Sequence, residues 1–385
     1  MLAWCLYDLA NTIFAMNMTS YHFPVWVVVD KQSTEWAYSL AFGLSMLASA
    51  VVMPGLGRHS DRKGNRVAWL IAVTLGCVFF TGVLGFIGPI WVALSVFALA
   101  NFFYQLAGVF YNALLPSVSP RKGMGRVSGY GVALGYVGTL IGIVATAPLV
   151  AKWGRQSTFL PTGLLFLMLS LPLFFWVKDT AKPVPAARPD KELARSLKPL
   201  LLPACLGLSA VGAVTLFMSV YAKQAIGLSD VELQRLLITA TAVTVAGTFL
   251  WGWITDRLGG YWAMWWVWAL WAAAFGLGCL SFNLSFFYGM ACMAGVALGG
   301  TWVASRVLLV EWVGPQRIGE SFGLFGVVSR LSAVVGPALW SGVLWAAQPL
   351  GRERYRLSMF LLFVLILGGW VSYHRLRYKR PGLVR

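Results

Sequence analysis

Gly57-Arg58-His59-Ser60-Asp61-Arg62-Lys63-Gly64-Asn65-Arg66 lies between two long apolar runs, and 195 positions later it recurs as Gly252-Trp253-Ile254-Thr255-Asp256-Arg257-Leu258-Gly259. Glycine, aspartate, arginine and glycine repeat in one register, again between apolar runs. A polar turn repeated in this way means one half-molecule made twice. The residue types suit a turn joining two spanning helices. Gly57 and Gly252 let a helix end approach a neighbour closely, while Gly64 and Gly259 permit positive φ. Asp61 and Asp256 are acceptors able to cap the start of a facing helix, where free N–H groups and the dipole favour an anion. The second copy closes with Gly260 and Tyr261 where the first has Asn65 and Arg66, so a charge relay is expected to be weaker there.

Working outward, the chain is 59% hydrophobic and only 11% charged, against about 25% charged in soluble domains. It is therefore read as an all-α, polytopic membrane protein with the lipid bilayer as its solvent. The net charge of +17 does not signal nucleic acid, because the basic residues fall in alternate short loops. The turns at 58–66, 121–126, 178–198, 257 and 317, with the tail 375–385, hold 20 of the 30 Lys and Arg. Eight others (Lys31, Lys152, Arg155, Lys223, Arg235, Arg352, Arg354 and Arg356) fall on the opposite side. That asymmetry predicts both termini in the cytoplasm of a cell whose plasma (bacterial inner) membrane the chain spans. Cys5, Cys77, Cys205, Cys279 and Cys292 lack paired spacing, so neither a disulfide framework nor a metal site is expected. No signal peptide is expected, since Met1 lacks a basic segment and the first apolar run carries Asp8 and Asn11.

Apolar runs of about 20 residues predict twelve spanning helices, near 3–29, 36–56, 67–88, 90–115, 126–150, 158–177, 199–222, 233–254, 262–281, 285–311, 319–345 and 357–374. Residues 1–178 are expected to form one six-helix bundle and 199–385 a second, pseudo-symmetric one. The segment 179–198, with Pro183, Pro185 and Pro189 among basic residues, reads as the cytoplasmic linker between them. The duplication extends further, since Gly125, Gly129 and Gly142 match Gly319, Gly323 and Gly336 at an offset of 194. Small residues at such spacing predict that helices 5 and 11 pack closely against the ends of helices 8 and 2.

The two polar turns resemble the G-x-x-x-D-R-x-G-x-R loop signature of the major facilitator superfamily. Trp4-Cys5-Leu6-Tyr7-Asp8-Leu9-Ala10-Asn11-Thr12-Ile13-Phe14 resembles the W-x-L-Y-D-x-A-N-S-x-F opening of its vacuole-effluxer branch, which includes autophagy-related amino-acid exporters. Tyr111-Asn112-Ala113-Leu114-Leu115-Pro116 and Gly125-Arg126-Val127-Ser128-Gly129-Tyr130-Gly131 resemble the branch's Y-N-x-x-L-P and G-R-x-S-G-x-G pair. Glu320-Ser321-Phe322-Gly323-Leu324, with Gly336-Pro337, resembles its late motifs. Thr12 departs from the usual serine, and little precedes the first helix, where the family carries a basic segment. The resemblance implies the major facilitator fold, a central cavity lined by helices 1, 4, 7 and 10, and amino-acid export as a substrate hint.

Polar side chains inside the spans mark candidate sites. On helix 1, Asp8, Asn11, Thr12, Thr19 and His22 fall on one stripe. Asp8, about 9 Å along the helix, is either a proton-binding carboxylate or an acid held near a helix N-terminus, and His22 reads as an interfacial histidine. Helix 4 carries Asn101, Tyr104, Gln105, Tyr111 and Asn112, the last two equally a gate contact or a solute contact. Arg306 lies inside helix 10, near Glu311, with which it pairs or beside which it snorkels. Arg330 lies about 16 Å into helix 11, where it either pairs with Asp8 or binds an anionic group of the solute. The gate is expected at Gly57, Asp61, Arg62, Gly64 and Arg66 and at Gly252, Asp256, Arg257 and Gly259. The tryptophans of helix 9 (Trp262, Trp265, Trp266, Trp268 and Trp271) read as interface belt and lipid contact.

The sequence thus predicts a monomeric secondary transporter, a symporter or antiporter moving a small polar or amphipathic, anionic solute by alternating access with protons as partner. No cofactor is expected. A lipid or lysolipid flippase on the same fold, and a non-transporting receptor, are the alternatives. An enzyme is not expected, since neither H-E-x-x-H nor G-x-S-x-G occurs.

Overall fold

A backbone group in hydrocarbon has no water to bond, so each apolar run must satisfy its hydrogen bonds internally, as a helix. The computed structural model describes residues 1–180, 191–280, 284–313 and 317–378, and among these there is no strand. Its spanning helices are α1 (residues 2–30), α2 (Glu35–Lys63), α3 (Arg66–Leu84), α4 (Ile90–Ala113), α5 (Met124–Trp153) and α6 (Phe159–Trp176). The second set is α7 (Lys191–Tyr221), α8 (230–258), α9 (260–280), α10 (Leu284–Val313), α11 (Ile318–Ala346) and α12 (Arg354–His374). Helices α8 and α9 run on as one 51-residue segment, turned at Gly259, where φ is 80° and ψ 161°. Gly64 ends α2 in the left-handed region at φ 61°, so both glycines that close the repeated turns hold positive φ. Ser229 and Glu232 open α8 as a reciprocal capping box, and the Ser229 N–H holds the Glu232 carboxyl below its usual range.

Two helices depart from the sequence expectation. Helix α7 begins at Lys191 rather than at 199, because Leu193 and Leu197 are buried and carry the helix back into the stretch read as linker. The linker's Pro183, Pro185 and Pro189, like the basic tail from Lys379, lie outside the described residues. Helix α1 is not one regular helix. It runs as α-helix to Phe14, as π-helix over Ala15–Ser20, breaks at Tyr21 (φ −133°, ψ −78°), and resumes over His22–Val25. Pro24 supplies the cause: it has no N–H to donate to Ser20, and its ring clashes with that carbonyl, so the chain steps out just before it.

The chain forms two compact units, one of Met1–Ala187 with Val313–Gly326 and one of Arg188–Trp312 with Val327–Arg385. The boundary therefore falls inside α11. In the first unit α1 packs on α5 and α6, α4 on α2 and α3, and α3 on α6. The glycines of α5 serve α1. A Cβ on Gly138 would stand 2.6 Å from the Leu9 carbonyl oxygen, one on Gly135 2.8 Å from Thr12 Oγ1, and one on Gly142 3.2 Å from Asn17 Oδ1. In the second unit a Cβ on Gly336 would run into the Ser209 carbonyl of α7. Gly142 and Gly336 occupy one repeat position, and each receives the first helix of its half.

The α9 tryptophans are largely interior rather than lipid belt. Trp268 lies against Gly207, where a Cβ would strike its ring, and Trp271 donates to Thr301 Oγ1 at 2.9 Å. Trp265 donates to His374 Nδ1 at 3.1 Å, and Trp266, 52% exposed, keeps the expected lipid-facing position. A glycine opposite and a hydroxyl acceptor admit the bulk and satisfy the N–H of a buried indole.

The glycine row gives the first prediction. Gly138→Ala puts a methyl against backbone that has nowhere to move, at about 1–3 kcal/mol, whereas Gly43→Ala meets nothing within 4 Å. Thermal unfolding of the purified chain should show a lowered midpoint for Gly138→Ala and an unchanged or raised one for Gly43→Ala.

Candidate functional site

The first polar turn builds a helix-end joint inside the N-terminal unit. Asp61, 3% exposed on the last turn of α2, accepts from the backbone N–H of Gly319 (3.0 Å to Oδ1) and of Glu320 (2.9 Å to Oδ2). These are the second and third residues of α11, the two amides an N-cap side chain serves. The cap is thus supplied by another helix. Close approach makes it possible: a Cβ on Gly57 would run into the Gly319 carbonyl, and one on Gly319 would stand 2.7 Å from Asp61 Oδ1. One turn on, a Cβ on Gly323 would stand 2.7 Å from the Met53 carbonyl oxygen.

Arg66 completes the joint. It is 1% exposed, donates to Asp61 Oδ1 from Nη2 at 2.7 Å and from Nε at 3.0 Å, and reaches Asp179 Oδ1 at 3.7 Å. Its own backbone N–H is capped by Asp179 Oδ2 at 2.9 Å, so α3 starts on a carboxylate that follows α6. On the rim Arg58 faces Glu320 at 3.4 Å. Arg62 is half-buried beside them.

The second copy differs at its closing position. Arg257 lies over the Trp253 ring at 3.7 Å, Gly252 is buried, and Asp256 is half-buried. Glu311 Oε2 accepts from the Gly260 N–H at 2.8 Å, which gives the buried end of α10 a tie to the turn. Tyr261, in the repeat position of Arg66, stacks on Tyr373 at 4.9 Å, and the Tyr373 hydroxyl donates to the Tyr261 carbonyl at 3.0 Å. Aromatic contact replaces the ionic tie.

The α1 stripe does not stay on one face. Asp8, 5% exposed, lies over Gly131 of α5, where a Cβ would stand 3.1 Å from its Oδ2. Thr12 donates to the Asp8 carbonyl at 2.8 Å and Thr19 to the Ala15 carbonyl at 2.6 Å. Asn11 turns to α4 and donates to the Tyr104 hydroxyl at 3.3 Å, while the Tyr104 ring stacks on Phe14 at 4.6 Å. His22 meets Thr146 of α5 at 2.7 Å. The π-turn over Ala15–Ser20 rotates the register of the residues after it, Asn17 and His22, which no constant 100° step predicts.

On α4, Asn101 donates to Ser45 of α2 at 2.7 Å and accepts from Gln105 at 3.3 Å, so both are spent on holding the two helices together. Tyr111 stacks between Trp4 (4.3 Å) and Tyr7 (5.1 Å), and its carbonyl accepts from Trp4 Nε1 at 3.0 Å. Asn112, half-buried next to it, leaves Oδ1 without a hydrogen-bond partner among the described residues. In the C-terminal unit Arg306 and Arg330 are each half-buried. The structure brings Asp8, Asn11, Thr12, Tyr104 and Tyr111 into one α1–α4–α5 cluster. Sequence reading missed Asp179 and Asn17. Asp179 sat in the presumed linker, and only its place two residues past an apolar run could have marked it as a cap. Asn17, fully buried, donates to Thr162 Oγ1 at 2.9 Å, and it lies off the stripe computed for a regular helix.

The sequence model of the Major Facilitator Superfamily matches residues 9–247 and 204–384. The chain belongs to that superfamily and is a multi-pass membrane transporter of its fold. It is 28% identical to an uncharacterized protein of Aquifex aeolicus, over 97% of this chain and 95% of that one. It is 24% identical to the multidrug resistance protein MdtG of Proteus mirabilis, covering 90% and 88%. A solved bacterial homologue of the iron transporter ferroportin, in an outward-facing state, superposes with TM-score 0.78 at 13% identity over 97% of this chain and 98% of that one. The human organic anion transporter MFSD10 gives 0.70 at 15%, covering 95% and 97%.

The joint separates a buried pair from a rim pair. Arg66→Met leaves two carboxylates facing an uncharged side chain in a buried site, at about 3–5 kcal/mol. Arg58→Met removes a partly exposed pair worth about 0–1 kcal/mol. Thermal unfolding should place the first far below wild type and the second beside it.

Proposed function

We propose that this member of the major facilitator superfamily is a secondary transporter that moves a small amphipathic solute carrying a negative charge by alternating access, with Arg330 reading the charge. The supporting observation is the place of Arg330. It follows Ile318 by twelve residues, about 18 Å along α11, near the middle of a roughly 30 Å hydrocarbon core. There a guanidinium costs at least ~2.5–3.5 kcal/mol unless compensated. Its side chain is only half-buried by protein. A planar fork of N–H donors suits a carboxylate or phosphate of the solute. The relatives named for multidrug resistance and for organic anions fit an amphipathic anion, and the resemblance to the vacuole-effluxer branch adds amino acids to that class.

The Lys and Arg asymmetry supports both termini in the cytoplasm, and the proposed carrier works as a monomer in the plasma membrane. The joint at Asp61 then lies at the cytoplasmic ends of α2 and α11 and acts as a latch that opens when the solute leaves on that side. Asp8, the acid buried in α1, is the proposed proton carrier.

Two experiments test the reading. Purified chain is screened by thermal shift against organic anions and their neutral isosteres, where saturation at 100 Kd raises stability by about 2.7 kcal/mol. Anions that stabilise wild type should fail to stabilise Arg330→Gln, bind Arg330→Lys more weakly, and leave the ligand-free midpoints alike. Equal shifts in wild type and Arg330→Gln would place the anion site elsewhere. For the latch, Asp61→Asn weakens the cap on α11 by roughly 0.3–2 kcal/mol, enough to move a balanced two-state carrier severalfold. A cysteine placed at Asn112 should react faster from the cytoplasmic side in that variant, and an unchanged rate would rule the latch out.

A further inference from the structure

Hydroxyl hydrogens fix the state of a buried polar pair on the broken part of α1. Thr146 Oγ1 has one hydrogen, and it goes to the Gly142 carbonyl at 2.6 Å, with Ile143 O at 3.3 Å as the lesser acceptor. With the hydrogen so placed, that oxygen accepts from His22 Nε2 at 2.7 Å, the tautomer that presents a bare lone pair at Nδ1. The same accounting applies to Asn17. Thr162 Oγ1 donates to the Thr158 carbonyl at 2.7 Å and accepts from Asn17 Nδ2 at 2.9 Å, which leaves Asn17 Oδ1 as a second acceptor. Asn17 is 0% and His22 3% exposed, and neither Asn17 Oδ1 nor His22 Nδ1 has a hydrogen-bond partner among the described residues.

Both face α5. Asn17 Oδ1 lies against Gly142, and His22 bonds to Thr146 one turn on, about 6 Å along the axis. Two buried acceptors one turn apart on the same face each lack a hydrogen. Among the described residues no group of three His, Cys, Asp or Glu could hold a metal ion, and neither threonine oxygen has a hydrogen to spare, so the donor set suits a proton. The charged and titratable groups around the pair are few. The Tyr21 ring lies 4.8 Å from the imidazole, and the Tyr38 hydroxyl of α2 donates to the Thr19 carbonyl at 2.6 Å. Arg155 is held by Asp30 at 2.5 Å, and Lys152, at the end of α5, sits over the Trp153 ring at 4.6 Å.

We propose that His22 is a proton-binding site, with Nδ1 the atom that takes the proton and Asn17 Oδ1 the acceptor that then receives its hydrogen bond, directly or through one water. The proton adds to the Nδ1 lone pair and the imidazole becomes imidazolium, with Nε2–H still donating to Thr146. The π-turn over Ala15–Ser20 and the break at Tyr21 lie between the two residues, so the segment that must adjust is the least regular part of the helix. This adds a second titrating position on α1, fourteen residues beyond Asp8. Its use in coupling rests on the transporter reading, but the protonation does not, and it can be read without a solute.

The test is a pH titration of the full chain labelled with 15N-histidine, followed by NMR. The three histidines are His22, His59 and His374. Signals are assigned by His59→Gln and His374→Gln, so that no assignment depends on a change at the buried site. At neutral pH the His22 signals should show the Nε2–H tautomer, and Nδ1 should take up its proton as the pH is lowered. In Asn17→Leu the midpoint should fall by about one unit, a tenfold weaker hold on the proton. In Thr146→Val the preference for the Nε2–H form should be lost. A His22 that stays neutral throughout in wild type marks a pair bridged by a structural water and overturns the proposal. So does a midpoint unmoved by Asn17→Leu.

Discussion

A carboxylate buried at the end of a helix tolerates its charge only when every lone pair that water would serve is served by protein. Asp61 meets that requirement with two amides from the first turn of α11 and two guanidinium N–H groups from Arg66. The demand propagates. The amides are within reach only if Gly57 and Gly319 bring two backbones together, and Arg66 can be buried only with Asp179 as its second anion. Asp179 in turn caps α3. One aspartate thereby sets where α2, α3 and α11 meet, and where the chain leaves α6.

Much of this was legible in the sequence, because each element was carried by a residue type with few alternatives. Gly64 and Gly259 announced positive φ, the repeated Gly-x-x-x-Asp-Arg announced the duplication, and the apolar run lengths announced the spans. What stayed hidden depended on distance or register. Arg66 was expected at the gate, but its burial between Asp61 and Asp179 could not be read, because Asp179 sat in the presumed linker. The α9 tryptophans read as belt because composition says nothing of Gly207 and Thr301 on the helices opposite. The start of α7 was misplaced because Lys, Arg and Pro outweigh Leu193 and Leu197 in any hydropathy window.

The polar stripe of α1 shows the limit most clearly. A constant 100° per residue puts Asp8, Asn11, Thr12, Thr19 and His22 together and Asn17 on the far side, yet the structure sets Asn17 against α5 with Asp8 and His22. Pro24 was visible, and a proline denies its bond to the carbonyl four residues earlier wherever it stands in a helix. Sequence does not tell how the chain absorbs the loss. Here it does so with a π-turn, which shifts every later side chain and brings Asn17 into the dry face against α5 and α6.

The two halves share an architecture and differ in how their helix ends are tied. In the first, the start of α3 is bound to the end of α6 by charge, Arg66 to Asp179. In the second, the matching positions are Tyr261 and His374, and the bond is made by stacked tyrosines and hydroxyl–carbonyl hydrogen bonds. An ion pair that separates into water regains the hydration of both charges, which offsets most of the Coulomb energy it loses. A tyrosine pair that separates exposes apolar surface and regains little. The ionic joint is therefore the one whose opening water assists, and salt or a neutralised carboxyl should shift it. Duplication supplied two equivalent turns, and the first closes on an arginine where the second closes on a tyrosine.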